Sequence, residues 1–107
     1  MPASEELVSG KRMMKKAVVV GAGNISSAWL PILRDEDIQI VGLVDLDRRR
    51  AKAQADRYDI VPFILTDVKD AIRKLRPDFV VDLTVPDAHC SVTCTALRMG
   101  CHVIGEK

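Results

Sequence analysis

The fold of this 107-residue chain is decided by one short stretch, Ala17-Val18-Val19-Val20-Gly21-Ala22-Gly23-Asn24-Ile25-Ser26. Its uninterrupted β-branched run is typical of a strand that is buried on both faces, as in a parallel sheet. The glycines that follow permit a tight turn and let the backbone approach a phosphate closely, and a helix that begins here offers free N–H groups to an anion. The stretch therefore predicts a phosphate-binding turn, whose candidate residues are Gly21, Ala22, Gly23, Asn24 and Ile25.

Strands and helices alternate along the rest of the chain. Strands are predicted over residues 38–44, 63–65, 79–83 and 102–104, and helices over 25–34, 48–58, from Thr66 or Asp67 to Leu75, and 88–99. Pro31 is expected to kink or shorten the first helix, Asp47 to cap the second, and Gly100 to end the fourth in a left-handed conformation. This alternation predicts an α/β fold, a doubly wound, Rossmann-like parallel sheet with strand order 3-2-1-4-5.

An acid ends the second predicted strand. Asp45 follows Ser26 by 19 residues, close to the spacing of about 20 at which a carboxylate binds the adenosine ribose of a dinucleotide. A carboxylate there repels a 2′-phosphate, which favours NAD over NADP. The basic run Arg48-Arg49-Arg50 could instead hold a 2′-phosphate, but it also suits the exposed face of a capped helix, and we favour that reading. The glycines could also form a tight turn without a ligand, with Asp45 as a solvated strand end.

Two motifs in the distal half complete the pattern. Residues 84–89 read Thr-Val-Pro-Asp-Ala-His, and residues 100–107 read Gly-Cys-His-Val-Ile-Gly-Glu-Lys. With the glycine turn and Val44-Asp45-Leu46-Asp47, these motifs resemble the Gfo/Idh/MocA oxidoreductases over residues 15–107. The last segment is similar to that family's G-K-H-V-x-x-E-K-P motif, and the first to its T-P-P-x-x-H motif. Val85 stands where the family commonly has proline, so the loop is expected to be less rigid.

The resemblance assigns roles to individual residues. It implies that Lys107 is the catalytic or substrate-orienting cation, which would stabilise negative charge on the substrate oxygen. It also adds further candidate cofactor-binding residues, namely Leu46, Arg50, Thr84, Val85, Pro86, His89, Glu106 and Lys107. His89 and His102 are assigned no acid–base role, because the family's acid–base histidine comes from a second domain.

That second, substrate-binding domain is absent from the sequence, which ends at Lys107. We therefore expect residues 15–107 to form the NAD(H)-binding domain of an oxidoreductase that moves hydride between the cofactor and a sugar- or polyol-like hydroxyl carbon. The sheet face that the absent domain would cover makes self-association, as a homo-oligomer, possible. Two alternatives remain open: a non-catalytic regulatory or redox-sensing nucleotide module, and an interaction domain with a vestigial loop.

Composition excludes several other classes. The formal charge of +1 gives no electrostatic footprint for nucleic acid or an anionic membrane, and no apolar run is long enough to span a bilayer. Three cysteines and no secretory segment favour a reducing, cytoplasmic setting, with residues 1–14 as a flexible extension. Cys90 and Cys94, beside His89 and Cys101-His102, could be drawn as a metal site, but their spacing is more typical of core packing, so no metal is predicted.

Overall fold

The computed structural model describes residues 15–105, and of Asp87 the backbone alone. The predicted extension over residues 1–14, the predicted catalytic residue Lys107 and its neighbour Glu106 lie outside the described residues. The strands are β1 (Lys15–Val20), β2 (Ile38–Val44), β3 (Phe63–Leu65), β4 (Phe79–Asp82) and β5 (His102–Gly105). The helices are α1 (Ser26–Asp35), α2 (Arg48–Arg57), α3 (Val68–Leu75) and α4 (Pro86–Arg98).

The five strands form one parallel sheet in the order β3-β2-β1-β4-β5. The predicted α/β fold and strand order are therefore confirmed. The order reverses at β1, which pairs with β2 on one side and with β4 on the other. In sheets of this kind, ligands bind outside the carboxyl ends of the strands at this switch point.

The central strand is buried on both faces, as its β-branched run predicts. Val19 packs with residues of α1 and α2, whereas Val18 and Val20 pack with residues of α3 and α4. Leu30 of α1 and Ala51 of α2 are fully buried in the first of these layers. Each face of the sheet is thus covered by two helices, and the carboxyl edge remains open for a site.

Some element boundaries differ from the predicted ones. Helix α1 continues through Pro31 to Asp35, so the proline does not shorten it. Helix α4 begins at Pro86, because proline is well suited to the first turn, where its missing N–H would have no partner. Gly100 follows this helix with φ +86°, which confirms the predicted left-handed conformation. The longest described helix has 13 residues, and none among residues 15–105 is long and apolar enough to cross a membrane.

Two aspartates occupy equivalent positions at helix starts but bond differently. Asp47, at the N-cap of α2, accepts hydrogen bonds from the N–H groups of Arg49 at 3.0 Å and Arg50 at 3.4 Å. The predicted cap is therefore confirmed. Asp67 occupies the N-cap of α3, but its side chain makes no capping bond. Asp67 therefore lies at the N-cap position, as one of the two predicted alternatives. The side-chain hydrogen bond expected of a cap is not formed.

This difference gives a direct stability test. We expect Asp47→Ala to lower the free energy of unfolding by about 1 kcal/mol, because two N–H groups of α2 lose their acceptor. Asp67→Ala, the matched control, removes the same carboxylate from a helix start without breaking a bond and should change it by less than about 0.5 kcal/mol. Urea denaturation of both variants measures the difference. Equal losses would show that the capping bonds of Asp47 contribute nothing beyond charge.

Candidate functional site

A cleft of about 350 Å³ opens at the carboxyl edge of the sheet, at the switch point. It lies between the loops that follow β1, β2 and β4 and the first turns of α3 and α4. Its lining includes seven of the predicted site residues, namely Gly21, Gly23, Asp45, Leu46, Arg50, Thr84 and Val85. A second hollow, of about 500 Å³, lies at the opposite edge beside Pro77 and Gly100, where the strands begin and where doubly wound folds do not bind their ligands.

Gly21 is required by close contact between two loops. A Cβ at this position would lie 2.8 Å from the carbonyl oxygen of Leu83, and the residue has φ +103°. Its N–H donates to the carbonyl of Val44 at 2.7 Å. Only glycine combines this conformation with this approach, so the turn after β1 is pressed against the chain that leaves β4.

Gly23 differs from Gly21, because the protein itself does not require it to be glycine. A Cβ at Gly23 would meet no atom within 4 Å. Within residues 15–105, no acceptor is bonded to the backbone N–H groups of Gly23, Asn24 and Ile25, since the turn bonds of α1 begin with the N–H of Ser26. Three consecutive donors and an open space above Gly23 make an anion cradle at the start of α1.

Ser26 stands at the third position of the glycine pattern and is fully buried. Its hydroxyl donates to the carbonyl of Gly23 at 2.6 Å and accepts a bond from the amide of Gln54 at 2.8 Å. The proton of this hydroxyl is therefore used inside the turn. Gln54, which the sequence analysis did not identify, ties the start of α1 to α2 through Ser26 and Ser27.

Asp45 is buried at the end of β2 and accepts four hydrogen bonds. The N–H of Ala22 donates to Oδ2 at 2.7 Å, and the N–H of Asp47 donates to Oδ1 at 2.9 Å. The guanidinium of Arg50 donates from Nε at 3.1 Å and from Nη2 at 3.0 Å, in a two-pronged ion pair. Asp45 thus holds the glycine turn and the start of α2 together, and it lines the cleft beside Arg50.

The protonation of Asp45 follows from these contacts. Burial raises the pKa of this carboxyl, but the hydrogen bonds from Arg50, Asp47 and Ala22 and the charge of Arg50 outweigh burial. The pKa of Asp45 therefore lies below its ordinary value. The carboxylate in turn raises the pKa of the Arg50 guanidinium, so the pair is charged at neutral pH.

The three consecutive arginines have separate positions. Arg48 donates to the carbonyl of Ile64 at 3.2 Å, which fastens it to β3. The side chain of Arg49 is 96% exposed, and its Nε lies 4.0 Å from Asp47. Arg50 alone lines the cleft. Two of the three thus belong to the outer surface of α2, and Arg50 is the one whose side chain is at the cleft.

The opposite wall of the cleft is built by the loop after β4 and by α4. Thr84, Val85, Ala88 and Val92 line it, and Val85 is 67% exposed. Leu46, on the β2 side, is 91% exposed. Two exposed apolar side chains at separate parts of one cleft suit the flat faces of two rings.

Several predicted residues lie beside this cleft and do not line it. Ala22 is buried, Asn24 and Ile25 are exposed at the start of α1, and Pro86 and His89 lie in the first turn of α4. Eight further residues line the cleft and were not predicted as site residues from the sequence. They are Val20, Val44, Thr66, Asp67, Val68, Leu83, Ala88 and Val92. Their only signal in the sequence is that each lies at the end of a predicted strand or in the segment that follows one.

The cysteine pair is not a core element. Cys90 is exposed and Cys94 is half-buried, with their sulfurs 3.8 Å apart on one face of α4. The expectation that this pair packs in the core is therefore wrong, and the third cysteine, Cys101, is the buried one. The proximity of Cys94 raises the pKa of Cys90. Among residues 15–105, the side chains of His, Cys, Asp and Glu form no group of three or more that could hold a metal ion.

Comparisons with known proteins show to which family of proteins the chain belongs. The family model described as "Oxidoreductase family, NAD-binding Rossmann fold" (GFO_IDH_MocA) matches residues 15–107. The chain is 31% identical over 97 residues to the inositol 2-dehydrogenase of Salmonella paratyphi B, covering 89% of this chain and 29% of that protein. It is 34% identical over 79 residues to glycosyl hydrolase family 109 protein 1 of Akkermansia muciniphila, covering 66% of this chain and 16% of that protein.

A solved structure shares the fold. The myo-inositol dehydrogenase of Lactobacillus casei, in complex with NAD(H) and myo-inositol, superposes with a TM-score of 0.82 at 22% identity. This similarity covers 89% of the present chain and 29% of the dehydrogenase. The chain thus spans less than a third of the length of each of these three proteins.

The Asp45 contacts predict how stability depends on pH. Because folding lowers the pKa of Asp45, its contribution is complete above the unfolded value of about 3.9 and is lost as pH falls through the lower folded value. We expect Asp45→Asn to lower the free energy of unfolding at pH 7 and to flatten its decline below about pH 4. Urea denaturation between pH 7 and pH 3 measures both effects. Asp56→Asn, at an exposed carboxylate paired with Lys52, is the control, and a decline as steep in Asp45→Asn as in the wild type would contradict the assignment.

Proposed function

The chain belongs to the Gfo/Idh/MocA oxidoreductase family, whose fold binds NAD, and from this premise we propose that its cleft binds NAD(H) for hydride transfer to or from a hydroxyl-bearing carbon. Residues 15–107 form one dinucleotide-binding domain in this proposal. The cofactor accepts or donates the hydride, and the residues of this chain bind and orient it. The substrate is a sugar- or polyol-like molecule. The inositol 2-dehydrogenase relative supports this class.

The observation that carries the proposal is the anion cradle. The N–H groups of Gly23, Asn24 and Ile25 have no bonded acceptor among the described residues, and the space above Gly23 is open. The cradle lies at the N-terminus of a ten-residue helix, whose dipole favours negative charge. A pyrophosphate needs this combination of donors and close approach. Two observations thus support a phosphate ligand: the three N–H groups have no bonded acceptor among the described residues, and no protein atom would contact a side chain at position 23.

The lining of the cleft suggests how the two halves of the cofactor lie. The adenosine half extends from the cradle toward Asp45 and Leu46, where a buried carboxylate adjoins an exposed apolar side chain. The nicotinamide half extends toward Thr84 and Val85, at the carboxyl end of β4. Pro86 and His89 lie beyond this loop, and Glu106 and Lys107 follow β5, which ends at the same edge. In this arrangement Lys107 is the candidate catalytic residue, whose ammonium would stabilise charge on the substrate oxygen.

Asp45 and Arg50 account for a preference for NAD over NADP. The Asp45 carboxylate is held ionised and would repel a 2′-phosphate, while its oxygens can accept bonds from ribose hydroxyls. Arg50 is the cation that could favour NADP, but both of its bonding nitrogens are directed at Asp45. The positive charge of Arg50 is therefore paired with Asp45 and is not directed at a 2′-phosphate. This pairing supports NAD as the cofactor.

Binding can be tested at the cradle without disturbing the fold. We expect Gly23→Val to abolish measurable NADH binding, because its branched side chain fills the space that the pyrophosphate needs. The melting temperature should stay close to that of the wild type, since a Cβ at this position meets no protein atom within 4 Å. Calorimetric titration with NADH and thermal melts measure both properties, with Gly23→Ala as the smaller step. Equal NADH affinity in the wild type and Gly23→Val would rule out the cradle.

The preference for NAD over NADP can be tested by substituting Asp45. Asp45→Ser removes the repulsive carboxylate and releases Arg50 to bind a 2′-phosphate. We expect the ratio of NADPH to NADH affinity to rise about ten- to a hundredfold, the range of one or two charge-assisted hydrogen bonds. Asp47→Ser removes a neighbouring carboxylate but keeps a capping hydroxyl, so it is the matched control and should leave the ratio unchanged. A preference for NADPH in the wild type would contradict the role of Asp45.

A further inference from the structure

The glycine turn is attached to α2 by a chain of side-chain hydrogen bonds that includes none of the proposed cofactor contacts. Gln54 of α2 donates from its amide Nε2 to the hydroxyl of Ser26 at 2.8 Å and to that of Ser27 at 3.1 Å. The hydroxyl of Ser26 donates in turn to the carbonyl oxygen of Gly23 at 2.6 Å. Because Ser26 is fully buried, this chain of bonds runs through the interior of the protein.

The direction of the chain is set by its first member. The Nε2 amide nitrogen of Gln54 can only donate, so the hydroxyl of Ser26 accepts from it and keeps its own proton for Gly23. The carbonyl of Gly23 also accepts from the backbone N–H of Ser26 at 3.0 Å. Consecutive hydrogen bonds polarise one another, which strengthens each of them. Gln54 therefore helps to hold the Gly23 carbonyl toward α1.

The Gly23 carbonyl belongs to the same peptide group as the N–H of Asn24, one of the three donors of the anion cradle. In a planar trans peptide these two groups point in opposite directions. A carbonyl held toward α1 thus directs the N–H of Asn24 away from the helix, as the cradle requires. The N–H groups of Gly23 and Ile25 belong to the two neighbouring peptide groups, which the hydroxyl of Ser26 does not contact.

The same face of α2 holds the turn at a second point. Arg50 lies four residues before Gln54, so the two side chains are neighbours on the helix surface. Arg50 is bonded to Asp45, which accepts from the N–H of Ala22 at 2.7 Å. One face of α2 therefore fixes the turn at the amide of Ala22 and at the carbonyl of Gly23.

We propose that Gln54 is a positioning residue for the pyrophosphate, which sets the donor direction of the Ser26 hydroxyl and thereby directs the N–H of Asn24 at a phosphate oxygen. This inference rests on the proposed function, and it adds a residue outside the lining of the cleft. An amide is required at position 54, because a carboxylate of the same shape would accept the proton of Ser26 and leave none for Gly23.

Gln54→Glu tests this requirement with almost no change in side-chain shape. The hydroxyl of Ser26 then donates to the introduced carboxylate and releases the carbonyl of Gly23. We expect NADH affinity, measured by calorimetric titration, to fall about three- to tenfold further than in Ala53→Glu, which places the same charge at the adjacent exposed position of α2. Gln54→Met removes the donor without adding charge and should lower NADH affinity about two- to threefold, because Ser26 keeps its bond to Gly23 without the polarisation.

A double-mutant cycle separates the hydrogen-bond chain from the added charge. In a Ser26→Ala background no hydroxyl links α2 to Gly23, so Gln54→Glu should lower NADH affinity no further than Ala53→Glu does. Additive losses in the Ser26→Ala and Gln54→Glu double variant would overturn the inference. Thermal melts check the folding of every variant. If Gln54→Glu does not fold, Gln54→Met decides the matter, and NADH affinity equal to that of the wild type would overturn the inference.

The amide proton of Asn24 gives a readout that a general loosening of the turn would not reproduce. Hydrogen bonding to phosphate moves an amide proton signal downfield, so saturation of the wild type with NADH should move the signals of Gly23, Asn24 and Ile25. In Gln54→Met this movement should shrink at Asn24 alone, and an equal reduction at all three would overturn the inference. Absence of NADH binding in the wild type would instead overturn the proposed function, and the role of Gln54 with it.

Discussion

The contact between Gly21 and the carbonyl of Leu83 constrains the whole carboxyl edge of the sheet. A side chain at Gly21 would enter the van der Waals shell of that carbonyl, so the turn after β1 and the chain after β4 can approach only because position 21 has no Cβ. The glycine turn therefore lies against the chain that follows β4, and residues of both segments line the cleft at the switch point.

Two buried carboxylates lie on either side of β1 at this edge of the sheet. Asp45 directly follows β2 and Asp82 ends β4, and each accepts a hydrogen bond from the N–H of a neighbouring loop. Asp45 is also bonded by the guanidinium of Arg50, which is always charged, and Asp82 by the hydroxyls of Thr84 and Thr93. The two strands beside β1 are therefore tied to their neighbouring elements by an ion pair on one side and by neutral donors on the other.

The sequence predicted those features that depend on neighbours along the chain. The β-branched run before Gly21, the alternation of strands and helices, and the Asp47 cap are local signals, and the strand order followed from them by general rules of topology. The features that it missed depend on residues far apart in sequence. The bonds of Gln54 to Ser26 and of Asp82 to Thr93 link separate elements, and Cys90 is exposed because α4 turns that face away from the sheet. Helix α1 also tolerates Pro31, because tertiary packing of Leu30 and Leu33 outweighs one lost backbone bond.

The saturation of Asp45 connects the cofactor preference to binding itself. Its oxygens already accept two backbone N–H groups and the two prongs of Arg50, so ribose hydroxyls can bond only by sharing or displacing the Arg50 contacts. The backbone contacts are fixed by the glycine turn and the start of α2, so the carboxylate keeps its position whichever way ribose approaches. Ribose hydroxyls that share the carboxylate with Arg50 leave both prongs of the ion pair in place. In the proposed site the positive charge of Arg50 therefore stays with Asp45, and a 2′-phosphate would meet the carboxylate and not a released cation.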